Sequence, residues 1–133
     1  VHRAIYQLSR GTIGLRRPRP DRWGMMCLTT TGRRTGTERH VILAYFEDGR
    51  NIITMAMNGW AEGEPAWWLN VKTNPDAIVH VPGRRCAVRA RAAAGEERER
   101  LWSKWREVGD DVDAYAKLRP TETTVVVLEP RPE

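Results

Sequence analysis

The residues best suited to chemistry in this sequence lie between two apolar runs. They read Thr29-Thr30-Thr31-Gly32-Arg33-Arg34-Thr35-Gly36-Thr37-Glu38-Arg39. Two glycines bracket two arginines, and a third arginine follows where the chain turns apolar again. Glycine lets a backbone turn tightly and approach a ligand closely. Arginine offers a planar fork of donors that matches phosphate or carboxylate. The segment therefore reads as an anion-binding hairpin, and on spacing alone a solvated basic turn fits equally well. It is not a Walker loop, because the order Gly-x-x-x-x-Gly-Lys-Ser/Thr is missing. Two further places have the makings of a site. Asn58-Gly59-Trp60 closes an apolar run over 52–57, and a strand ending in this way can present its last peptide groups to a planar ligand, although an ordinary loop reads the same. Trp67 and Asn70 are three residues apart, so both can share one face of a short helix. Tryptophans so placed, like Trp68 beside them, are core residues by default.

No acid–base or nucleophile set accompanies these residues. His2, His40 and His80 are scattered, and the last two fall in or beside strand-like runs where a structural role is expected. No serine sits in a nucleophile elbow, and no carboxylate pair has the spacing of a hydrolase. Cys27 and Cys86 are isolated within apolar runs and read as buried thiols, not as a disulfide. With two cysteines and three dispersed histidines, no zinc-site spacing occurs. If the chain is an enzyme, a cofactor carries its reaction and the protein supplies position and field.

The elements that must hold these residues are short. Residues 1–10 place Val1, Ile5 and Leu8 on one helical face, and 16–22, with Pro18, Pro20 and four arginines, read as an extended linker. Strands are expected over 25–31, 40–46, 51–57, 77–81, 86–92 and 123–128. Asp48-Gly49 and Pro82-Gly83 mark tight turns. A helix opens at Pro65 and ends at Asn74-Pro75; a second, over 96–108, carries Leu101, Trp102, Trp105 and Val108 as one apolar stripe. Pro130 and Pro132 suggest a loose tail. The expected fold is α+β, a small barrel of about six mostly antiparallel strands with helices packed outside. The expected division is an N-terminal helix and basic linker over 1–22 and a barrel over 23–133.

The 133 residues suit one core, and the formal charge of +5 is unevenly spread. Residues 1–40 hold nine arginines against only Asp21 and Glu38, while 41–133 are nearly balanced, with 13 basic and 15 acidic side chains. A basic first third points to an anionic partner: nucleic acid, a lipid surface or a phosphorylated cofactor. No charged–apolar–small leader opens the sequence, and no run approaches the roughly 18–20 apolar residues of a membrane span, so a cytoplasmic protein is expected.

Several runs together resemble the deazaflavin-dependent nitroreductase family, in that family's order and spacing. They are Leu28-Thr29-Thr30-Thr31-Gly32-Arg33-Arg34-Thr35-Gly36, Pro65-Ala66-Trp67-Trp68-Leu69-Asn70-Val71, Asn74-Pro75, Gly95-Glu96-Glu97-Arg98 and Val125-Val126-Val127-Leu128-Glu129-Pro130, with His2-Arg3-Ala4-Ile5-Tyr6 similar to its first helix. The resemblance implies a flavin-reductase-type split barrel that uses coenzyme F420. Its reduced form would give a hydride to a small electron-poor acceptor, whether a quinone, a nitroaromatic, or a conjugated enone or lactone. It implies that Arg33, Arg34 and Arg39 hold the cofactor's phosphate and oligoglutamate tail. The strand end with Met55, Met57, Asn58 and Gly59 would lie against the ring, with Trp67 and Asn70 close to the cofactor. Trp60 stands where relatives often have glycine and is expected to border the acceptor pocket. Of the tyrosines that shape the nitroreductase substrate site only Tyr115 is matched, as a candidate proton donor; this argues against nitroimidazole activation.

Two alternatives stand beside this reading. An FMN-dependent reductase or pyridoxamine-phosphate-oxidase-like protein would share the fold, but a single phosphate needs fewer arginines than a polyanionic tail. A basic nucleic-acid or membrane-surface module would suit the charge, but the aromatics are not interleaved with the arginines as stacking platforms require. Nucleic acid is therefore not expected as a partner. The amphipathic N-terminal helix leaves room for a weak auxiliary contact with anionic lipid at the inner face of the membrane.

Overall fold

The computed structural model describes residues 15–19, 22–57, 64–107, 117 and 122–132. The expected helix over 1–10 lies outside them, as do Asn58, Gly59, Trp60 and Tyr115.

Six strands, β1 (Gly24–Thr31), β2 (Glu38–Asp48), β3 (Asn51–Ala56), β4 (Asp76–Val81), β5 (Arg84–Ala92) and β6 (Thr124–Pro130), close into a barrel in the order β1-β2-β3-β6-β5-β4. Every pairing is antiparallel. Two helices, α1 (Ala66–Thr73) and α2 (Gly95–Glu107), interrupt the strands. The tight turns fall where the glycines predict them: Gly49 and Gly83 take φ of +61° and +74°, a region that costs other residues steric strain.

The period of two in each strand divides the core into two clusters. Met26 and Leu28 of β1, Ile52 and Ala56 of β3, Val79 of β4, Val88 of β5, and Val126 and Leu128 of β6 fill the barrel interior. Helix α1 packs against this interior cluster through Trp67, Trp68 and Val71. Helix α2 packs on the other side: Leu101, Trp102 and Trp105 cover the outward residues Ile53, Met55, Val125 and Val127. Trp23 and Phe46 join them, with ring centroids 3.9 and 5.1 Å from that of Trp105. Strands β3 and β6 are thus covered on both faces, which is why their sequences are continuous apolar runs and not alternating ones.

Two expectations about loose segments are corrected. Where it is described, at 16–19 and 22, the expected linker does not run out from the barrel. Arg16 and Met25 exchange backbone N–H···O bonds of 3.1 and 2.9 Å, and Arg19 and Arg22 exchange bonds of 2.8 and 3.1 Å, so the chain folds back along β1. A Cβ at Gly24 would lie 2.5 Å from the Tyr45 ring and 2.8 Å from the Pro18 nitrogen, so glycine is what allows the approach. The tail is not loose through Pro130 either. Pro130 ends β6 opposite Val88, and Arg131 donates its backbone N–H to the Ala87 carbonyl and its Nε to the Val88 carbonyl, each at 3.0 Å. Proline is tolerated at such a strand end because the pairing there does not need its missing donor.

Candidate functional site

The Gly32–Gly36 stretch is the connection between β1 and β2. Gly32 donates its N–H to the Thr37 carbonyl at 2.8 Å, and Gly36, at φ +73°, donates to the Gly32 carbonyl at 2.9 Å. The closed turn projects Arg33 and Arg34. Arg39 pairs with Thr30 across the two strands and shares a face with Val41 and Leu43, the partly buried residues packed against the barrel interior. A Cβ at Gly32 would meet the Thr37 carbonyl oxygen at 3.1 Å and Arg39 Nε at 3.5 Å, so the missing side chain lets the Arg39 guanidinium lie along the turn.

The turn faces the start of α1. Between them lies a cleft of about 450 Å³, lined among others by Thr30, Arg33, Arg34, Arg39, Val41 and Trp67. No aspartate or glutamate is among its described lining residues. Arg33, Arg34 and Arg39 make no ion pair among the described residues. The arginines near α2 and the end of β6 behave otherwise: Arg89, Arg91, Arg98, Arg100 and Arg131 each stand against a carboxylate. Three guanidiniums on one cleft, without counter-charge among the described residues, give it a positive field that attracts anions. His40 also touches the cleft; its Nδ1 lies 2.8 Å from Thr29 Oγ1.

Helix α1 begins after Pro65, which supplies no N–H where the helix would leave one unsatisfied. Trp67 and Asn70, three residues apart, both reach the cleft, as their spacing predicts. Trp67 is 5% exposed, and its indole N–H has no partner among the described residues. Asn70, 4% exposed, binds the turn: its Oδ1 accepts from the Arg33 backbone N–H at 3.2 Å and from Arg33 Nη1 at 2.9 Å.

The structure thus brings Arg33, Arg34, Arg39, Trp67 and Asn70 together. It does not bring Met55 and Met57 to them as side chains. Met55 is 2% exposed within the cluster under α2, and Met57 packs against that cluster, so both point away from the barrel interior. Sequence reasoning passed over Thr30 and the turn-binding function of Asn70. A buried asparagine in an otherwise apolar helix segment is a signal that a fixed polar partner exists, but it does not say which one. Among the described residues no group of three metal-ligating side chains occurs, and no helix is long and apolar enough to cross a membrane.

A model of the F420H(2)-dependent quinone reductase family matches residues 1–130. The chain belongs to that family. An F420H(2)-dependent quinone reductase of Mycobacterium tuberculosis is 34% identical over 104 residues, 77% of this chain and 68% of that protein. A second protein of the same organism, named as a candidate F420H(2)-dependent quinone reductase, is 30% identical over 118 residues, 89% of this chain and 96% of the other. A solved F420-H2 dependent reductase superposes with a TM-score of 0.72 at 29% identity, covering 87% of this chain and all of that one. Two solved structures at 10% and 17% identity, with TM-scores of 0.58 and 0.57, share the split-barrel fold alone. This family member is an F420-dependent oxidoreductase, and coenzyme F420 is its cofactor. The cleft fits such a group. It offers three guanidiniums without carboxylate partners among the described residues for anionic substituents, and an apolar wall at Trp67, Val41 and Pro65.

Proposed function

We propose that the chain reduces a quinone, or another small electron-poor acceptor such as a conjugated enone or lactone or a nitroaromatic. Arg33, Arg34 and Arg39 bind the anionic tail of the cofactor. The observation that carries the reading is the set of three arginines on one cleft beside Trp67, without carboxylate partners among the described residues. When bound, the reduced deazaflavin supplies a hydride, a reaction that asks for no protein nucleophile. A hydride brings two electrons and one proton's worth of hydrogen, so a quinone needs one further proton to become a hydroquinone. Tyr115, outside the described residues, is the proposed donor, its phenol replenished from water. The main chain over 55–59, with Asn58 and Gly59, is proposed to flank the ring; Met55 and Met57 contribute there only through their backbones. Trp60 is proposed to border the acceptor. The three arginines hold the tail and bind ground and transition states alike, so they set affinity and not turnover.

A titration with F420 and with FMN tests this reading, run on the wild type and on the Arg34→Ala and Arg39→Ala variants, with quinone reduction followed alongside. A charge-assisted contact contributes roughly 1.5–3 kcal/mol, so each substitution should weaken F420 binding by about ten- to a hundredfold. Saturating turnover should stay near wild type. Tyr115→Phe should show the reverse pattern, with intact affinity and slowed turnover. FMN bound more tightly than F420, or wild-type F420 affinity in both arginine variants, would refute the assignment.

A further inference from the structure

The hydrogen bonds of Asn70 separate Arg33 from the other two arginines. Oδ1 receives two donors of the same residue, the backbone N–H of Arg33 at 3.2 Å and its Nη1 at 2.9 Å. Nδ2 donates to Thr30 Oγ1 at 3.3 Å. The orientation of the amide follows from this chemistry. Arg33 offers only donors at these positions, so the oxygen, not the nitrogen, must face it. The carboxamide oxygen has two lone pairs, and both are used. An anionic ligand brings acceptors, which that oxygen repels, and one of the two Nδ2 donors is spent on Thr30.

We infer that Asn70 is a positioning residue that acts on the cofactor through Arg33. It ties α1 to a turn 37 residues earlier in the chain and restrains one backbone group and one guanidinium at once. Arg34 and Arg39 have no such restraint among the described residues. A guanidinium held in place before the ligand arrives loses less side-chain freedom on binding, and that saving appears as affinity. The near-complete burial of Asn70 strengthens the effect, since water does not compete for its amide. This inference rests on the proposed tail site at Arg33, Arg34 and Arg39, and it gives Asn70 a different function from direct cofactor contact.

The test is a double-mutant cycle read by F420 titration, with wild type, Asn70→Ala, Arg33→Ala and the double variant, and thermal melting to report folding. Asn70→Ala should weaken F420 binding roughly five- to tenfold, since it releases one charged donor without removing it. In the Arg33→Ala background the same substitution should have no further effect. The loss should fall on the F420 dissociation constant and the KM for F420 more than on turnover at saturating cofactor. Losses that multiply in the double variant would show that Asn70 acts independently of Arg33, and wild-type affinity in Asn70→Ala would show that it does not act at all; either result overturns the inference. If Asn70→Ala fails to fold, the isosteric Thr30→Val releases the Nδ2 anchor instead. A smaller loss that vanishes in the Arg33→Ala background supports positioning, and an equal loss in both backgrounds overturns it. Wild-type affinity in Arg34→Ala and Arg39→Ala would refute the tail site itself, a result distinct from a failed cycle.

Discussion

The two glycines of the β1–β2 turn are needed for different reasons, and their substitutions should separate. Gly36 sits at φ +73° with no atom within 4 Å of a built Cβ, so alanine there has room but adopts a strained backbone. Gly36→Ala should cost about 1–2 kcal/mol of folding stability in urea unfolding. Gly32 has no such φ, but a Cβ would press on the Thr37 carbonyl at 3.1 Å and sit 3.5 Å from Arg39 Nε. Gly32→Ala should therefore push on the Thr37 carbonyl, shift the β2 start that carries Arg39, and weaken F420 binding beyond what its stability loss explains. Equal ratios of affinity loss to stability loss in the two variants would contradict this division. The residue scale is also where sequence reading was sharpest and where it missed. Arg33, Arg34, Arg39, Trp67 and Asn70 were legible because turn chemistry and helical spacing bring them to one cleft. The direction of the Met55 and Met57 side chains was not. Their run, Ile52-Ile53-Thr54-Met55-Ala56, lacks alternation, which is the mark of a strand covered on both sides. That pattern tells that the two faces are buried, but not that the odd residues go to α2.

Helix α2 is held to the barrel by polar clamps around its apolar stripe. Arg100 grips both carboxylate oxygens of Asp48 at 2.8 and 2.9 Å, and Lys104 Nζ donates to the Glu47 carbonyl at 2.8 Å. Arg91 pairs with Glu97 and Glu129, and the Arg98 guanidinium lies 5.1 Å from the Trp102 ring centroid. The hydrogen bond from Arg100 holds the Asp48 carboxyl below its usual 3.8, and the one from Arg91 lowers that of Glu97. A carboxyl with a depressed folded pKa contributes stability above its unfolded value and loses it as pH falls through the folded one. The stability deficit of Asp48→Asn, measured by urea unfolding, should therefore be full at pH 7 and narrow steadily below pH 4. A deficit that stays constant down to pH 3 would show that the pair contributes nothing electrostatic. None of these clamps was legible in the sequence, because Asp48 and Arg100 are 52 residues apart and charge alone does not choose among partners. The strands, turns and helices themselves were legible, since apolar runs, Asp-Gly and Pro-Gly pairs and the Leu101–Trp102–Trp105 stripe act locally. The return of 16–22 along β1 was not, because Pro18 and Pro20 mark equally well an extended segment and a turn, and only the groove at Gly24 decides.

At the scale of the whole molecule, a closed barrel leaves little choice about where a site can lie. The strands spend their ladder hydrogen bonds on one another, and both faces of β3 and β6 are buried, so a ligand is left the barrel's periphery. The β1–β2 turn reaches past the barrel toward α1, and there three of the nine arginines of the first third of the sequence line the cleft. The electrostatic consequence differs for the two ligands of a hydride-transfer reaction. The cofactor tail is a polyanion that meets three exposed guanidiniums, and salt screens such contacts over a Debye length of about 10 Å at 0.1 M. A quinone is neutral and gains nothing from that field. F420 affinity should therefore fall as sodium chloride rises from 0.05 to about 0.5 M, while the KM for a neutral quinone at saturating F420 stays nearly constant. Removal of Arg34 or Arg39 should flatten the salt slope as well as weaken binding at low salt, because fewer charges remain to be screened. The measurement is a set of F420 titrations at four salt concentrations for wild type and the two variants, with quinone kinetics in the same buffers. A quinone KM that rises with salt in step with the F420 dissociation constant would place the arginines at the acceptor instead of the cofactor. A salt-independent F420 affinity would mean that the basic turn holds no anion at all.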